Sequence, residues 1–313
     1  MRSVQVFSAK FAAFRGRLAP TGTQYRTACR TVAAGLALGL AGLGTTAAVA
    51  QRTDRLQAAG IKIAAPTAAK HRGRLPRIYG DDDRRPLVVI DAGHGGMDPG
   101  AISPIDGRRE KDVTLKIARA IRDELVRAGR VRVALTREDD RFLVLRERYG
   151  IARRLGGALF ISIHCDSVGA GSASGASVYT LSEVASDRES ARLAARENKS
   201  DIIAGVNLAS TNADISSILI DLTQRETMNA SAGFARLLGR EARDRVPLKP
   251  NFHRMASLMV LKAPDMPSVL FETGYISNPA DAEFIDSEDG RRRIAQSVER
   301  AVEVHFARRM ANR

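Results

Sequence analysis

The chain has no tryptophan, and aromatic residues make up only 5% of its 313 positions. Hydrophobic residues still reach 44%, so a core is available, but it must rest on Ala, Val, Leu and Ile. Cysteine is almost absent too, with only Cys29 and Cys165. If the first fifty residues are removed, Cys165 stands alone, which excludes a disulfide scaffold without excluding an oxidising compartment. Those fifty residues contain no acid but carry Arg2, Lys10, Arg15, Arg17, Arg26 and Arg30. The formal net charge of the whole chain is +14. Such a surplus favours anionic partners such as nucleic acid, anionic lipid or an acidic wall polymer, or simply keeps a protein soluble, and charge alone does not choose.

Thr31–Ala50 is uncharged, rich in Ala, Gly and Leu, and ends in the small-x-small form Ala48-Val49-Ala50. This predicts a signal peptide over residues 1–50 and export to the periplasm. Twenty uncharged residues could also form a retained membrane anchor, but the small residues and the cleavage-like ending favour removal. Residues 51–84 scatter Arg, Lys, Ala and Pro, then Gly80-Asp81-Asp82-Asp83, with no apolar period. They read as a basic linker. No internal repeat is present.

From Pro86 onward, short β-branched runs alternate with helical patterns. Strands are expected at Leu87–Ile90, Val131–Leu135, Ala158–Ile163, Ala176–Leu181, Leu258–Leu261 and Ser268–Phe271. Helices are expected over Asp112–Arg127, over a segment N-capped by Asp140 that carries Leu143, Leu145, Ile151 and Ala152, and over Ile294–Phe306. The alternation predicts an α/β fold in three layers, a mixed twisted sheet of about six strands flanked by helices. The rhythm breaks between about 183 and 245, where some sixty residues read as helical with no strand. That is longer than a crossover needs, and it predicts a helical insertion.

Two of the five histidines hold comparable positions. His94 follows the first strand in Asp91-Ala92-Gly93-His94-Gly95-Gly96, and His164 ends the third in Phe160-Ile161-Ser162-Ile163-His164. Loops leaving the carboxyl ends of strands gather into one crevice, so both imidazoles would face one space. Another strand end supplies Glu272, and Glu110 precedes a helix. Two imidazoles and one carboxylate are a common zinc set with a fourth position open to water, while a second carboxylate can move the proton. The metal would acidify a water and polarise a scissile carbonyl. Each histidine alone could be an ordinary strand-end residue; the pair, with acids at two more junctions, points to a metal site.

Five ordered motifs carry a resemblance. They are Val89-Ile90-Asp91-Ala92-Gly93-His94-Gly95-Gly96 with Asp98-Pro99-Gly100-Ala101; Glu110-Lys111; Thr136-Arg137 with Asp140; Phe160-Ile161-Ser162-Ile163-His164 with Asp166-Ser167; and Phe271-Glu272-Thr273-Gly274-Tyr275-Ile276-Ser277-Asn278. Together they resemble the zinc-dependent N-acetylmuramoyl-L-alanine amidases of the cell-division type, over about residues 86–309. The resemblance implies a catalytic domain over 85–312, with zinc held by His94, Glu110 and His164 and with Glu272 as catalytic carboxylate. It implies cleavage of peptidoglycan between the lactyl group of N-acetylmuramic acid and L-alanine, in daughter-cell separation. Cys165 stands where the family has a small apolar residue and reads as a small hydrophobe, a catalytic thiol being the alternative. Arg137 reads as a loop anchor. Arg153 stands where Asn is common.

Similar amidases with an insertion at this point use it as a lid, a glutamate filling the open metal position until an activator withdraws it. Residues 195–206 resemble that region, and Glu197 is the candidate blocking ligand; the alternative is a solvated helix face. The apolar stripe Ile215, Ile218, Leu219 and Leu222 is the expected docking face for an activator, or else packed core. The resemblance implies that this activator is a periplasmic protein with a degenerate metallopeptidase-like domain of LytM type. A monomer that binds no nucleic acid is expected. The rival readings are a wall-binding module without catalysis, a zinc carboxypeptidase acting on stem peptides, and a nucleic-acid-binding protein. Few aromatics and an export signal speak against the last.

Overall fold

The computed structural model describes residues 75–168, 173–203 and 217–311, with side chains from 203 to 223 outside the described residues. The expected signal peptide, most of the expected linker and the stripe of Ile215, Ile218, Leu219 and Leu222 therefore lie outside what is described.

The sheet is mixed and has seven strands: β1 (Ile78–Tyr79), β2 (Leu87–Ala92), β3 (Arg132–Leu135), β4 (Leu159–Asp166), β5 (Ala176–Leu181), β6 (Leu248–Ala256) and β7 (Ser268–Tyr275), in the order β1-β3-β2-β4-β7-β5-β6. Strands β3, β2, β4 and β7 run parallel, β5 opposes β7, and β6 runs parallel to β5. The parallel centre is why β2, β4 and β7 are buried along their whole length and read as continuous apolar runs.

Two strands differ from expectation. The segment Leu258–Leu261 is not a strand: Met259–Leu261 is a turn of 3₁₀ helix, with Leu258, Val260 and Leu261 buried under the sheet. A four-residue apolar run cannot by itself distinguish strand from buried helix. The strand lies just before it as β6, whose polar Lys249, Pro250, Asn251, His253 and Arg254 hid it. Pro250 is tolerated because β6 is an edge strand. At the other edge β1 pairs with β3 inside the expected linker, so the fold starts before residue 85.

Helices cover both faces, making the three layers. On one face lie α1 (Glu110–Ala128), α7 (Glu288–Ala311) and the second half of α5 (Ser217–Ala242). In α1, Val113, Ile117, Ala118, Ile121 and Leu125 form the buried stripe, and Gly129 in the left-handed region closes the helix onto the Leu125 and Val126 carbonyls. Phe234, Ala235, Leu238 and Ala242 of α5 belong to this core, so the later part of the expected insertion is a constituent of the fold. The other face is packed by α2 (Leu145–Arg154), the 3₁₀ turn and α3 (Arg188–Glu197), which contributes Leu193 and Ala194. A four-residue turn, α4 (Ser200–Ile203), follows α3, and α6 (Pro279–Asp286) precedes α7.

Asp140 does not cap α2. It accepts bonds from the Gly96 amide and from Lys111 Nζ, each at 2.7 Å, and so fastens the glycine loop after His94. The amide of Leu145, at the start of α2, is instead met by Asp201 Oδ1 at 2.8 Å from the insertion. A long-range acceptor replaces the local one, which sequence spacing could not reveal. Arg137 does anchor a loop. It is fully buried and donates to the carbonyls of Ala92, Gly93 and Lys111 at 2.8–2.9 Å.

Candidate metal centre

Residues 160, 162, 164 and 166 of β4 alternate toward the face covered by α3, and Leu270 and Glu272 of β7 do the same. His164 and Glu272 are directly opposed in the β4–β7 register. His94 stands on the loop just past β2, with a left-handed backbone at φ 60° that is uncommon outside glycine. Arg148 holds that loop. It donates to the carbonyls of Ala92 at 2.9 Å and His94 at 2.8 Å while pairing with buried Asp91 at 3.1 Å. Asp91 also accepts from Thr136 and Ser162, so the end of β2 is fixed from three sides.

Glu110 opens α1, where the helix dipole favours an anion. Its two oxygens accept the amides of Ala101 at 2.8 Å and Cys165 at 2.9 Å, and each lies 3.1 Å from one imidazole, His94 Nε2 or His164 Nδ1. Glu197, the last residue of α3, joins them, with Oε2 3.4 Å from His94 Nε2 and 3.2 Å from His164 Nδ1. His94, His164 and Glu197 offer ligand atoms that all lie within 4.8 Å of one another. All four side chains are buried.

This arrangement fits a divalent cation. His94 Nδ1 bonds Asp98 Oδ2 at 2.9 Å, while buried Nε2, flanked by two carboxylates, has no hydrogen-bond partner among the described residues. A carboxylate behind a ligating imidazole fixes the ring and turns its other nitrogen toward the metal. Burial opposes charge on every member, yet the carboxylates hold the pKa of both imidazoles up, that of His164 at about 10, and the imidazoles hold Glu110 and Glu197 down. The pocket is therefore built for positive charge, supplied by two ring protons or by one divalent ion that displaces them. Nitrogen and oxygen donors in this number suit zinc.

Beside the cluster, Glu272 is buried, and among the described residues neither carboxyl oxygen meets a hydrogen-bond partner. Burial and the nearby charge of Asp166 push its pKa well up. Cys165 faces the opposite, apolar side of β4, where burial raises its thiol pKa; this is the packing of a small hydrophobe and not of a nucleophile.

The family described as N-acetylmuramoyl-L-alanine amidase (Amidase_3) matches residues 88–304. The chain belongs to this amidase family. AmiC of Neisseria meningitidis, an N-acetylmuramoyl-L-alanine amidase, is 38% identical over 225 residues, covering 72% of this chain and 53% of AmiC. AmiA of Escherichia coli is 35% identical over 221 residues, covering 70% of this chain and 76% of AmiA. The chain thus spans about half the length of the AmiC relatives it matches. Among solved structures, the amidase AmiC2 of Nostoc punctiforme superposes with TM-score 0.53 at 26% identity, over 71% of this chain and 97% of that one.

Within this amidase-family site, the structure brings His94, Glu110, His164, Glu197 and Glu272 together. Asp98, Asp91 and Arg148 were missed as contributors. Asp98 had a local signal, four residues after His94, whereas Arg148 had none. Arg153, without an assigned role, pairs with Asp265 at 2.8 Å on the surface.

Gly93 is required by close approach. A Cβ there would sit 2.5 Å from His164 Cε1 and 2.6 Å from Nε2. Gly93→Ala must therefore displace the His164 ring and is expected to cost about 1–3 kcal/mol. Titration of the purified variant with zinc should show at least about tenfold weaker binding, by analogy with the loss of supporting contacts around ligands. Wild-type metal affinity would show that the ring is not held by this contact.

Proposed function

We propose that this chain hydrolyses the amide joining the lactyl group of N-acetylmuramic acid to L-alanine in peptidoglycan, as a zinc enzyme exported to the periplasm, in daughter-cell separation. The observation that carries the reading is the meeting of His94, Glu110 and His164 around an unpartnered imidazole nitrogen, with the unpartnered carboxyl of Glu272 beside it. Zinc held by His94, Glu110 and His164 would polarise the scissile carbonyl and ease ionisation of a water. Glu272 takes the proton of the attacking water as its oxygen bonds to the carbonyl carbon. It then returns that proton to the L-alanine nitrogen as the C–N bond breaks, leaving a lactyl carboxyl and a free amine. No covalent enzyme intermediate is required.

Helix α3 is the proposed lid. Glu110 is a fixed ligand, tied by two backbone amides, whereas among the described residues the remaining oxygen of Glu197 meets only the neighbouring Arg196, at 3.2 Å. Glu197 is thus the carboxylate able to leave. Its withdrawal would open the fourth coordination position, and the proposed agent is a periplasmic activator with a degenerate metallopeptidase-like domain. Contacts around Glu197 hold the closed state: Arg196 reaches Asp166 at 2.5 Å and the Ser167 carbonyl at 2.9 Å, and Asn198 bonds Ser257 and Met259.

Metal analysis joined to digestion of purified sacculi tests the reading. The zinc-loaded chain with Glu197→Ala should release intact stem peptides bearing a new free L-alanine amine and leave the glycan uncut. Release of D-alanine alone would identify a carboxypeptidase instead. Binding of sacculi without any product would identify a wall-binding module.

A further inference from the structure

The floor beneath α3 continues past Glu272 onto the edge of the sheet. Ser177 of β5 opposes Glu272, Tyr179 stands two residues further along the same face, and Arg254 of β6 is in register with Tyr179. Arg254 is buried in this wall, and its guanidinium lies 5.7 Å from the centroid of the Tyr179 ring. Among the described residues the buried Tyr179 hydroxyl and Arg254 Nε meet no hydrogen-bond partner. Near the start of β6, Lys249 Nζ bonds the Tyr275 hydroxyl at 2.7 Å, and its ammonium lies 4.9 Å from that ring's centroid. This row of cations and phenols along β5, β6 and β7 leads away from the catalytic carboxylate.

The row is filled by two carboxylates of α3. Asp187 accepts from Arg254 Nη2 at 2.5 Å. Glu189 lies 3.0 Å from Arg254 Nη1 and accepts from Lys249 and from the Tyr275 hydroxyl, each at 2.5 Å. The two sides are unequal: the Arg254 and Lys249 side chains are 6% and 15% exposed, while Asp187 and Glu189 are 42% and 36% exposed. The cations thus belong to the rigid sheet, and the anions belong to the helix whose other end carries Glu197. Withdrawing α3 would strip Arg254 of both carboxylate partners and leave a place that another anion can take.

We propose that Lys249, Arg254 and Tyr275 form a carboxylate-binding subsite for the acidic peptide of the substrate, and that Asp187 and Glu189 of the lid occupy it as stand-ins. This deepens the amidase reading and rests on it. With L-alanine at Glu272, the remaining stem peptide extends along the channel that α3 vacates, and one of its carboxylates takes the place of Glu189. The lid and the peptide then compete for the same cations, while Glu197 competes for the metal. A planar guanidinium beside an ammonium and a phenol hydroxyl is a donor set suited to a carboxylate.

The test uses the full chain with Asp187→Asn and Glu189→Gln, which removes both charges. Asn at 187 can still accept the Ser190 amide that Asp187 now takes at 2.8 Å, so the start of α3 is kept. Calorimetric titration with the tripeptide L-Ala-γ-D-Glu-meso-diaminopimelate is expected to show at least about tenfold tighter binding than to wild type, since a charged hydrogen-bonded contact is regained. Adding Arg254→Gln should return the affinity to the wild-type level or below, and the tripeptide with its carboxylates amidated should bind weakly to all variants. On soluble muropeptides, Arg254→Gln should raise KM about tenfold with kcat within about twofold, the signature of lost binding. If Arg254→Gln does not fold, Lys249→Gln carries the same expectation. Equal binding of free and amidated tripeptide, or affinity indifferent to both substitutions, overturns the subsite. The expected binding pattern without hydrolysis by any variant overturns the amidase reading and leaves the subsite standing.

Discussion

Replacing Glu272 by Gln is expected to lower amide hydrolysis by about two to four orders of magnitude, the usual worth of a positioned acid–base group, while zinc content stays at the wild-type level. The separation of the two readouts is the point. Glu272 shares a sheet face with His164 and stands opposite it in the strand register, yet among the described residues its oxygens meet no donor. A carboxyl that merely braced the ligands would be hydrogen-bonded to them, as Asp98 is to His94. Gln preserves shape and polarity but cannot take a proton from water and return it to a leaving amine. Sacculi digestion by the Glu197→Ala protein with and without this second change, alongside metal stoichiometry, makes the comparison. Equal loss of metal and activity would move Glu272 from proton transfer to metal retention, and unchanged activity would remove it from the reaction.

Glu197→Ala works in the opposite direction. Basal hydrolysis of sacculi, without activator, is expected to rise by roughly ten- to a hundredfold, the scale on which one charge-assisted contact of about 1.5–3 kcal/mol shifts an equilibrium. The carboxylate lies within 3.4 Å of both imidazoles. On the proposed reading its removal clears the way for substrate and water, although Arg196, Asn198 and the contacts of Asp187 and Glu189 still hold α3 in place. The gain should therefore be partial, and an activator should raise the rate further. Activity that does not change would make Glu197 an ordinary buried acid and would leave the closed state to some other contact.

The central strands and the residues of the buried cluster were legible in the sequence because they obey local rules. Val88, Val89 and Ile90 end in Asp91-Ala92-Gly93-His94, and Phe160, Ile161 and Ile163 end in His164, so apolar run and functional residue adjoin. Glu272 follows Leu270 and Phe271 in the same way. The elements that escaped obey longer-range rules. β6 is polar because it is an edge strand whose Lys249 and Arg254 meet the acids at the start of α3, and β1 is too short to show a period. Asp201 caps α2 from 56 positions away, and Arg148 reaches back 57 to Asp91. Arg254 carried no signal at all, since its meaning comes from Asp187, Glu189 and Tyr179, which only the folded sheet brings near. Residues that adjoin an apolar run could be found by pattern, and Glu197 and Arg137 through the resemblance; the long-range partners Asp201, Arg148 and Arg254 could not.

The opposition of His164 and Glu272 across two hydrogen-bonded strands has a consequence for how this chain can change length. One residue added to β7 ahead of position 272 would turn the carboxylate into the apolar layer and bring a hydrophobic side chain to the cleft. Insertions and deletions are therefore barred from β4 and β7 near the site. They are free to accumulate in surface turns such as the one closed by the Ser103 and Arg108 bond, where no catalytic spacing is at stake.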